Sequence, residues 1–404
     1  MRIAVLLVVA TAQEPRLTLQ RAIELARAAS PELASARSAA RASAAFARQA
    51  GAFANPSVVL GRERTSGPDG VNGQVTIHLE QRLEVTGVRA ADRTAARARA
   101  SAAAAETVRA EQLLDAQVTK SFVRLVAARR RTALADRLRQ LTDSAAAMAS
   151  RRFDAGDVSG FDRRRLELEG ARYHAAAIAS RFAADSTATG LAAVVGYAGN
   201  EPSELAVVDS FPAAGEIGSL DSLISRLPHR SDLQASEFLA NAAQAEVVSR
   251  SRQWIPTPTV SAGYKQEETA GQLSRSSGFV AGVALPLPLW DRRASATAGQ
   301  AALAERARAD YHRLRRDAAT EVRRLASGLR SLVEQRRLFG RRLGPEADLA
   351  LRSVAVAFAE GELTVAQWLD AVRAYYEAQG ALLDLDAEIA SRWADLIAAT
   401  GVAP

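Results

Sequence analysis

The sequence predicts a mainly α-helical chain that carries two β-hairpins and writes the same plan twice. Three observations lead to that fold class. The first is an internal duplication: Phe153–Asp162 reads FDAGDVSGFD and Phe358–Gln367 reads FAEGELTVAQ. Both follow Phe-x-x-Gly-acid-aliphatic-hydroxyl, and their separation is 358 − 153 = 205 positions. The second is a helical run of unusual length, with no Pro or Gly from Val88 to Arg152. The third is a set of period-two segments far too regular for loops.

The duplication extends along the chain, as repeats at such periods do when a structural unit has been copied. SPELASARSAARASA from Ser30 resembles RSDLQASEFLANAAQ from Arg230. NPSVVLG (Asn55–Gly61) matches TPTVSAG (Thr257–Gly263), placing Pro56 over Pro258 and Val58 over Val260. The boundaries that follow are a leader at 1–12, a first repeat at 13–196, a linker at 197–220 and a second repeat at 221–404. The linker is rich in Gly, Pro, Ser and acids. The leader is a short positive start, an apolar run IAVLLVVA, and the small-x-small site Ala10-Thr11-Ala12, the pattern of a secretory signal.

Each repeat is expected to run helix, hairpin, very long helix, break, helix. At ~1.5 Å per residue the run from Val88 to Arg152 would be roughly 95 Å long. Leu134, Leu138, Leu141, Ala145 and Met148 alternate spacings of four and three, a coiled-coil seam. Gly156 and Gly361 fall where one long helix turns back into the next, since glycine accepts the left-handed backbone a reversal needs. Asp157 or Glu362, followed by Ser159 or Thr364, are placed to satisfy the free N–H groups of the returning helix. In the strands, Val75, Ile77 and Leu79 form one face of Gln74–Leu83, and Val283 and Leu285 belong to the apolar side of Gly278–Leu289. Their partners are Ser57–Arg64 and Thr257–Gln266. Strands of ~10 residues alternating in this way suit a transmembrane barrel as well as a soluble hairpin. Four strands cannot close a barrel, and an open edge cannot stand in lipid. Several chains would therefore share one barrel, and three would give twelve strands.

Composition excludes more than it selects. The chain has no cysteine, which removes disulfides, thiol catalysis and Cys-based metal sites. Its net charge of +7 is spread as Arg among Asp and Glu along helices, which does not form a nucleic-acid patch. No phosphate-binding glycine loop is present, and the four histidines, His78, His174, His229 and His312, are far apart. No enzymatic activity and no cofactor are expected. Apart from the leader there is no apolar run long enough for a membrane-spanning helix.

Taken in order and spacing, LEQRLEVTGVRAADRTAARARA (Leu79–Ala100), RRFDAGDVSGFDRRRLELEGAR (Arg151–Arg172), GVALPLPLWDRR (Gly282–Arg293) and EGELTVAQWLDAVRAYYEAQ (Glu360–Gln379) resemble the TolC-type outer membrane efflux proteins. The resemblance covers essentially the whole mature chain and leans toward the branch serving heavy-metal resistance. Thr86-Gly87-Val88-Arg89 departs from that branch's Gly-Gly-Lys-Arg, and its Asn-x-Gly is absent from Arg292-Arg293-Ala294-Ser295.

The resemblance implies a homotrimer in the outer membrane. One twelve-stranded barrel would sit on a long helical coiled-coil barrel in the periplasm. It implies a passive exit duct for metal ions, drugs or other toxic compounds, working with a periplasmic adaptor and an inner-membrane pump of the RND type. Val75, Ile77, Leu79, Val283 and Leu285 would face lipid. Gly156, Asp157, Val158 and Ser159, with Gly361, Glu362, Leu363 and Thr364, would be the tips that dock the adaptor, Val158 and Leu363 as small exposed apolar contacts. Gln367 and Asp370, one turn apart, would line the periplasmic aperture, where similar proteins often carry two aspartates. The competing expectation is a soluble periplasmic coiled-coil adaptor or scaffold with no barrel.

Overall fold

The computed structural model describes residues 16–68, 70–197, 206–268, 275–343 and 345–401, so the expected leader lies outside the described residues. The first repeat contains α1 (Leu19–Ala29), α2 (Pro31–Gln49), β1 (Ser57–Gly67), β2 (Gly70–Arg82), α3 (Val88–Asp154) and α4 (Gly160–Val195). The second contains α5 (Leu220–Ser225), α6 (Ser231–Arg252), β3 (Thr259–Glu268), β4 (Ser276–Ala284), α7 (Ala294–Leu343), α8 (Pro345–Glu360) and α9 (Val365–Thr400). Of these helices, none is long and apolar enough to cross a membrane.

The chain packs as two compact units that cut across the repeats. One unit holds residues up to 34, 109–230 and 317–404; the other holds 35–108 and 231–316. The helices α3 and α7 each begin in the second unit and end in the first.

In the second unit the strands form one antiparallel sheet in the order β1-β2-β3-β4. Each hairpin comes from one repeat, and β2 pairs with β3 to join them. The β1–β2 hairpin is longer than its sequence suggests. Thr65↔Asn72, Ser66↔Val71 and Gly67↔Gly70 all stay in register, so the ladder runs past the expected partner segment Ser57–Arg64. At the other end β4 stops at Ala284 because Pro286 and Pro288 have no N–H to donate to a ladder. Gly263 lies flush against β2, where a Cβ would stand 2.2 Å from the Ile77 carbonyl oxygen, so no other residue fits. In the same unit Ala102 and Ala105 of α3 meet Ala235 of α6, small side chains that let the helices approach, with Phe238 packed against them.

The first unit is built on two apolar clusters. One gathers Leu17, Val118, Phe122, Leu125, Leu191 and Val207, with Leu17 and Val207 joined as a parallel bridge. Part of the expected linker is thus a packed element. The other cluster holds Leu138, Ala145 and Ala149 of α3, Leu166 and Tyr173 of α4, Phe358 of α8, and Trp368, Leu369 and Val372 of α9. Leu134, Leu141 and Met148 pack onto it, so the seam read at spacings of four and three is the one that is buried. Gly299 and Gly328 leave α7 unbroken; it ends at Leu343, and Pro345, which lacks an N–H, opens α8.

Candidate functional site

Three places carry the residues singled out from the sequence: the sheet in one unit, and in the other the two helix reversals and the first turn of α9. In the sheet, register decides which side chains share a face. Ile77 stands opposite Leu60 on one side and Tyr264 on the other, and Leu79 opposite Val58 and Ala262. Tyr264 in turn stands opposite Phe279, and Val260 opposite Val283. Val75, Ile77, Leu79 and Val283 therefore lie on one apolar face, with the Tyr264 and Phe279 rings edge to face at 6.3 Å. Leu285 lies one residue past β4, in extended chain outside the ladder, because the prolines have already ended the strand. The opposite face carries Glu63, Thr76, His78, Glu80, Lys265 and Glu267, and His78 Nε2 sits 3.1 Å from Glu80 Oε1. β1 and β4 are the outer strands of the sheet.

The reversals share one backbone design. Gly156 has φ 85° and Gly361 φ 87°, the left-handed region that favours glycine. Around them Asp157 N donates to Arg152 O at 2.8 Å, and Glu362 N donates to Ala357 O at 2.9 Å, closing the last turn of each preceding helix. Ser159 and Thr364 cap the returning helices, Ser159 Oγ accepting from Asp162 N at 3.1 Å and Thr364 Oγ1 from Gln367 N at 3.3 Å. Asp157 and Glu362 do not cap. Their place is taken three residues beyond each cap, by Asp162, whose carboxylate accepts from the Ser159 hydroxyl at 2.8 Å, and by Gln367, whose Oε1 accepts from Thr364 N at 3.0 Å. The acids directly after glycine belong to the turn, where their backbone N–H groups close the preceding helix. Val158 and Leu363 are half-buried and not the exposed contacts expected, because the hairpin folds them inward; Leu363 packs onto the Phe358–Trp368 cluster.

Arg152 is a residue that sequence patterning missed. From the last turn of α3, its Nη1 donates to Phe358 O at 3.2 Å, and its Nη2 reaches Ala359 O at 3.5 Å. It lies across the second reversal, where a Cβ on Gly361 would be 2.4 Å from Nη2. No local motif announces a contact spanning 206 residues.

On α9, Gln367 and Asp370 are both exposed and one turn apart. Arg373 turns away from Asp370 to the buried carboxylate of Glu169 on α4, which Arg172 also holds at 3.0 Å. The hydrogen bond to Glu169 raises the Arg373 guanidinium above its usual range. Tyr375 donates to Asp348 Oδ1 at 2.5 Å, while Arg137 lies 3.3 Å from the same oxygen. Burial, and then that hydrogen bond, push the Tyr375 phenol up to about 12. Among the described residues no group of three or more His, Cys, Asp or Glu is set to hold a metal.

Residues 225–402 match the family model described as outer membrane efflux protein. Along 303 residues the chain is 28% identical to the cobalt-zinc-cadmium resistance protein CzcC of Cupriavidus metallidurans, covering 72% of this chain and 67% of that protein. Over its second repeat the chain is thus similar to outer membrane efflux proteins. Solved channel structures share its fold. VceC of Vibrio cholerae superposes with a TM-score of 0.77 at 21% identity, covering 95% of this chain and 96% of its own. CusC gives 0.76 at 16% identity, covering 95% and 92%, and the open-state MtrE channel of Neisseria gonorrhoeae 0.74 at 18%, covering 95% and 89%.

Proposed function

We propose that this chain is a passive outer-membrane exit duct of a tripartite efflux system with its helices in the periplasm, that three copies close a single barrel of twelve strands, and that the ring exports metal cations. The sheet carries this reading. It has one apolar face, one polar face, and two outer strands, β1 and β4, with nothing paired beyond them in the single chain. Lipid forbids such edges, so β4 of one copy pairs with β1 of the next. The apolar face of Val75, Ile77, Leu79 and Val283 then meets lipid, and the His78–Glu80 face meets the aqueous lumen. The competing soluble scaffold would leave both edges and the apolar face in water. Metal cations are supported as substrate by the likeness to a protein named for cobalt, zinc and cadmium resistance.

In the other unit, the reversals around Gly156–Ser159 and Gly361–Thr364 form the docking tips for the adaptor's helical hairpin. An inner-membrane pump of the RND type supplies the energy. Asp370 forms the acidic ring of the aperture, three carboxylates around one axis that repel each other and attract cations. Gln367, occupied by its cap, lends no charge.

An Arg at the bilayer midplane costs ~2–4 kcal/mol in such barrels. Val283→Arg should therefore lower the yield of heat-modifiable trimer in the outer-membrane fraction. Wild-type yield from that variant would refute the assignment of the face. For the aperture, the measurement is single-channel conductance in planar bilayers with divalent cation on the periplasmic side. Asp370→Asn should relieve cation block, and unchanged block would exclude Asp370 as the ring.

A further inference from the structure

We propose that the edge of the sheet where strands meet helices is a binding collar for anionic phospholipid headgroups. The proposal rests on the reading that the sheet spans a membrane. This edge is one continuous place in the fold: Gln81 Nε2 donates to the Ala54 carbonyl at 3.0 Å, Leu83 N to Pro258 O at 2.9 Å, and Arg252 Nη1 to Gly87 O at 3.3 Å. Those contacts bring the exit of α2, the end of β2, the start of α3 and the end of α6 together. β4 ends on the same edge, since Ala284 pairs with Thr259, the first residue of β3.

Six arginines stand at this edge: Arg82, Arg89, Arg93, Arg250, Arg252 and Arg292. Elsewhere the protein pairs its arginines freely, but among the described residues none of these six is in an ion pair. The carboxylates nearest in sequence are already engaged. Asp92 accepts from the Ser249 hydroxyl, Glu246 holds Arg99 and Gln300, Glu84 holds Thr86, and Asp291 holds Arg293. Arg89 is half-buried with its guanidinium 3.5 Å from the Phe53 ring, and its Nη1 is buried without a hydrogen-bond partner. Among the described residues no carboxylate comes within 4.0 Å of these six guanidinium groups, and the hydroxyl partners of Asp92 and Glu84 hold those carboxylates in other directions.

The same edge exposes large aromatic and aliphatic groups. Trp290 is 93% exposed, and Phe53, Trp254, Leu287 and Leu289 are exposed as well. Leu287, Leu289 and Trp290 follow directly on β4, while Phe53 and Trp254 directly precede β1 and β3. Tryptophans at the end of an apolar band mark the level of the headgroups. Arginines at that level attract anionic lipid, each by about fivefold in affinity at most, over a range of ~8 Å at physiological salt. Charge complementarity and continuity with the strands together select an anionic phospholipid as occupant. A folded protein partner would have to cover the lipid-contacting apolar face as well.

The test uses the full mature protein reconstituted in phosphatidylethanolamine vesicles containing brominated phosphatidylglycerol or brominated phosphatidylethanolamine. Bromine quenches tryptophan only in contact, so the two quenching curves give a relative affinity at the collar. Wild type should prefer phosphatidylglycerol several-fold, and high salt should remove most of that preference. Arg250→Gln/Arg252→Gln/Arg292→Gln should lower it by at least about threefold, while the corresponding Lys variant keeps it. Equal quenching by both lipids in wild type, a preference indifferent to salt, or an unchanged preference in the Gln variant would overturn the collar. Failure of wild type to insert into either vesicle would overturn the membrane reading itself.

Discussion

The two helix reversals are copies of one motif, yet the protein uses them differently. Both turn on a left-handed glycine and a hydroxyl cap. At the first, Phe153 is 37% exposed beside Arg163, and a side chain at Gly156 would meet nothing within 4 Å. At the second, Phe358 is 3% exposed with its ring 5.4 Å from Trp368, and Arg152 covers Gly361. Duplication supplied the backbone; the surroundings then made one turn open and the other packed. A sequence repeat fixes conformation locally, whereas rigidity depends on what lies above the turn.

The difference is tested most strongly at the two phenylalanines. Phe358→Ala should cost ~3–5 kcal/mol, the range for a buried aromatic, while Phe153→Ala should cost well under half of that. Chemical denaturation of the assembled protein checks this, and equal losses would break the comparison. The glycines come next. A non-glycine residue in the left-handed region costs ~1–2 kcal/mol at either turn. Gly361→Leu must also displace Arg152 and its two carbonyl contacts. It should abolish efflux and adaptor crosslinking while leaving trimer in the membrane, and Gly156→Leu should do so only in part. Undiminished crosslinking in Gly361→Leu would mean the turn does not dock the adaptor. The caps should give a smaller effect, with Gln367→Ala and Asp162→Ala each costing ~0.5–2 kcal/mol through loss of the partner to the capping hydroxyl.

The last expected effect is confined to alkaline pH. The Tyr375 phenol is raised from 10.0 to about 12 in the folded protein, so the stability it contributes is complete below pH 10 and fades as pH rises toward 12. Tyr375→Phe should flatten that part of the stability profile, and an unaltered slope would place the alkaline transition elsewhere.

Much of this was legible in the sequence because it is local or periodic. The α3 seam, the strand faces and the glycine turns depend on residues within a few positions of one another. What escaped reading depends on distant partners or on a second role for one side chain. Arg152 looks like one more arginine until α8 is laid beside it. Gln367 looked like a lost acid, although Thr364-x-x-Gln367 is the spacing of a capping box. The linker's Val207 is buried only because Leu17 lies alongside it. The compact units cross the repeats because helices of 67 and 50 residues are too long to belong to one packed region.

The outer strands of the sheet also make a genetic statement. β1 and β4 lie at opposite edges of one chain, so in a closed ring every subunit must offer two good edges to two neighbours. A single faulty edge wastes the sound subunits on both sides of it. Alleles that spoil β1 or β4 pairing while leaving the apolar face intact should therefore behave as dominant, poisoning rings made alongside the wild-type copy. Alleles that prevent membrane entry altogether should be recessive, because such subunits never reach a ring to spoil.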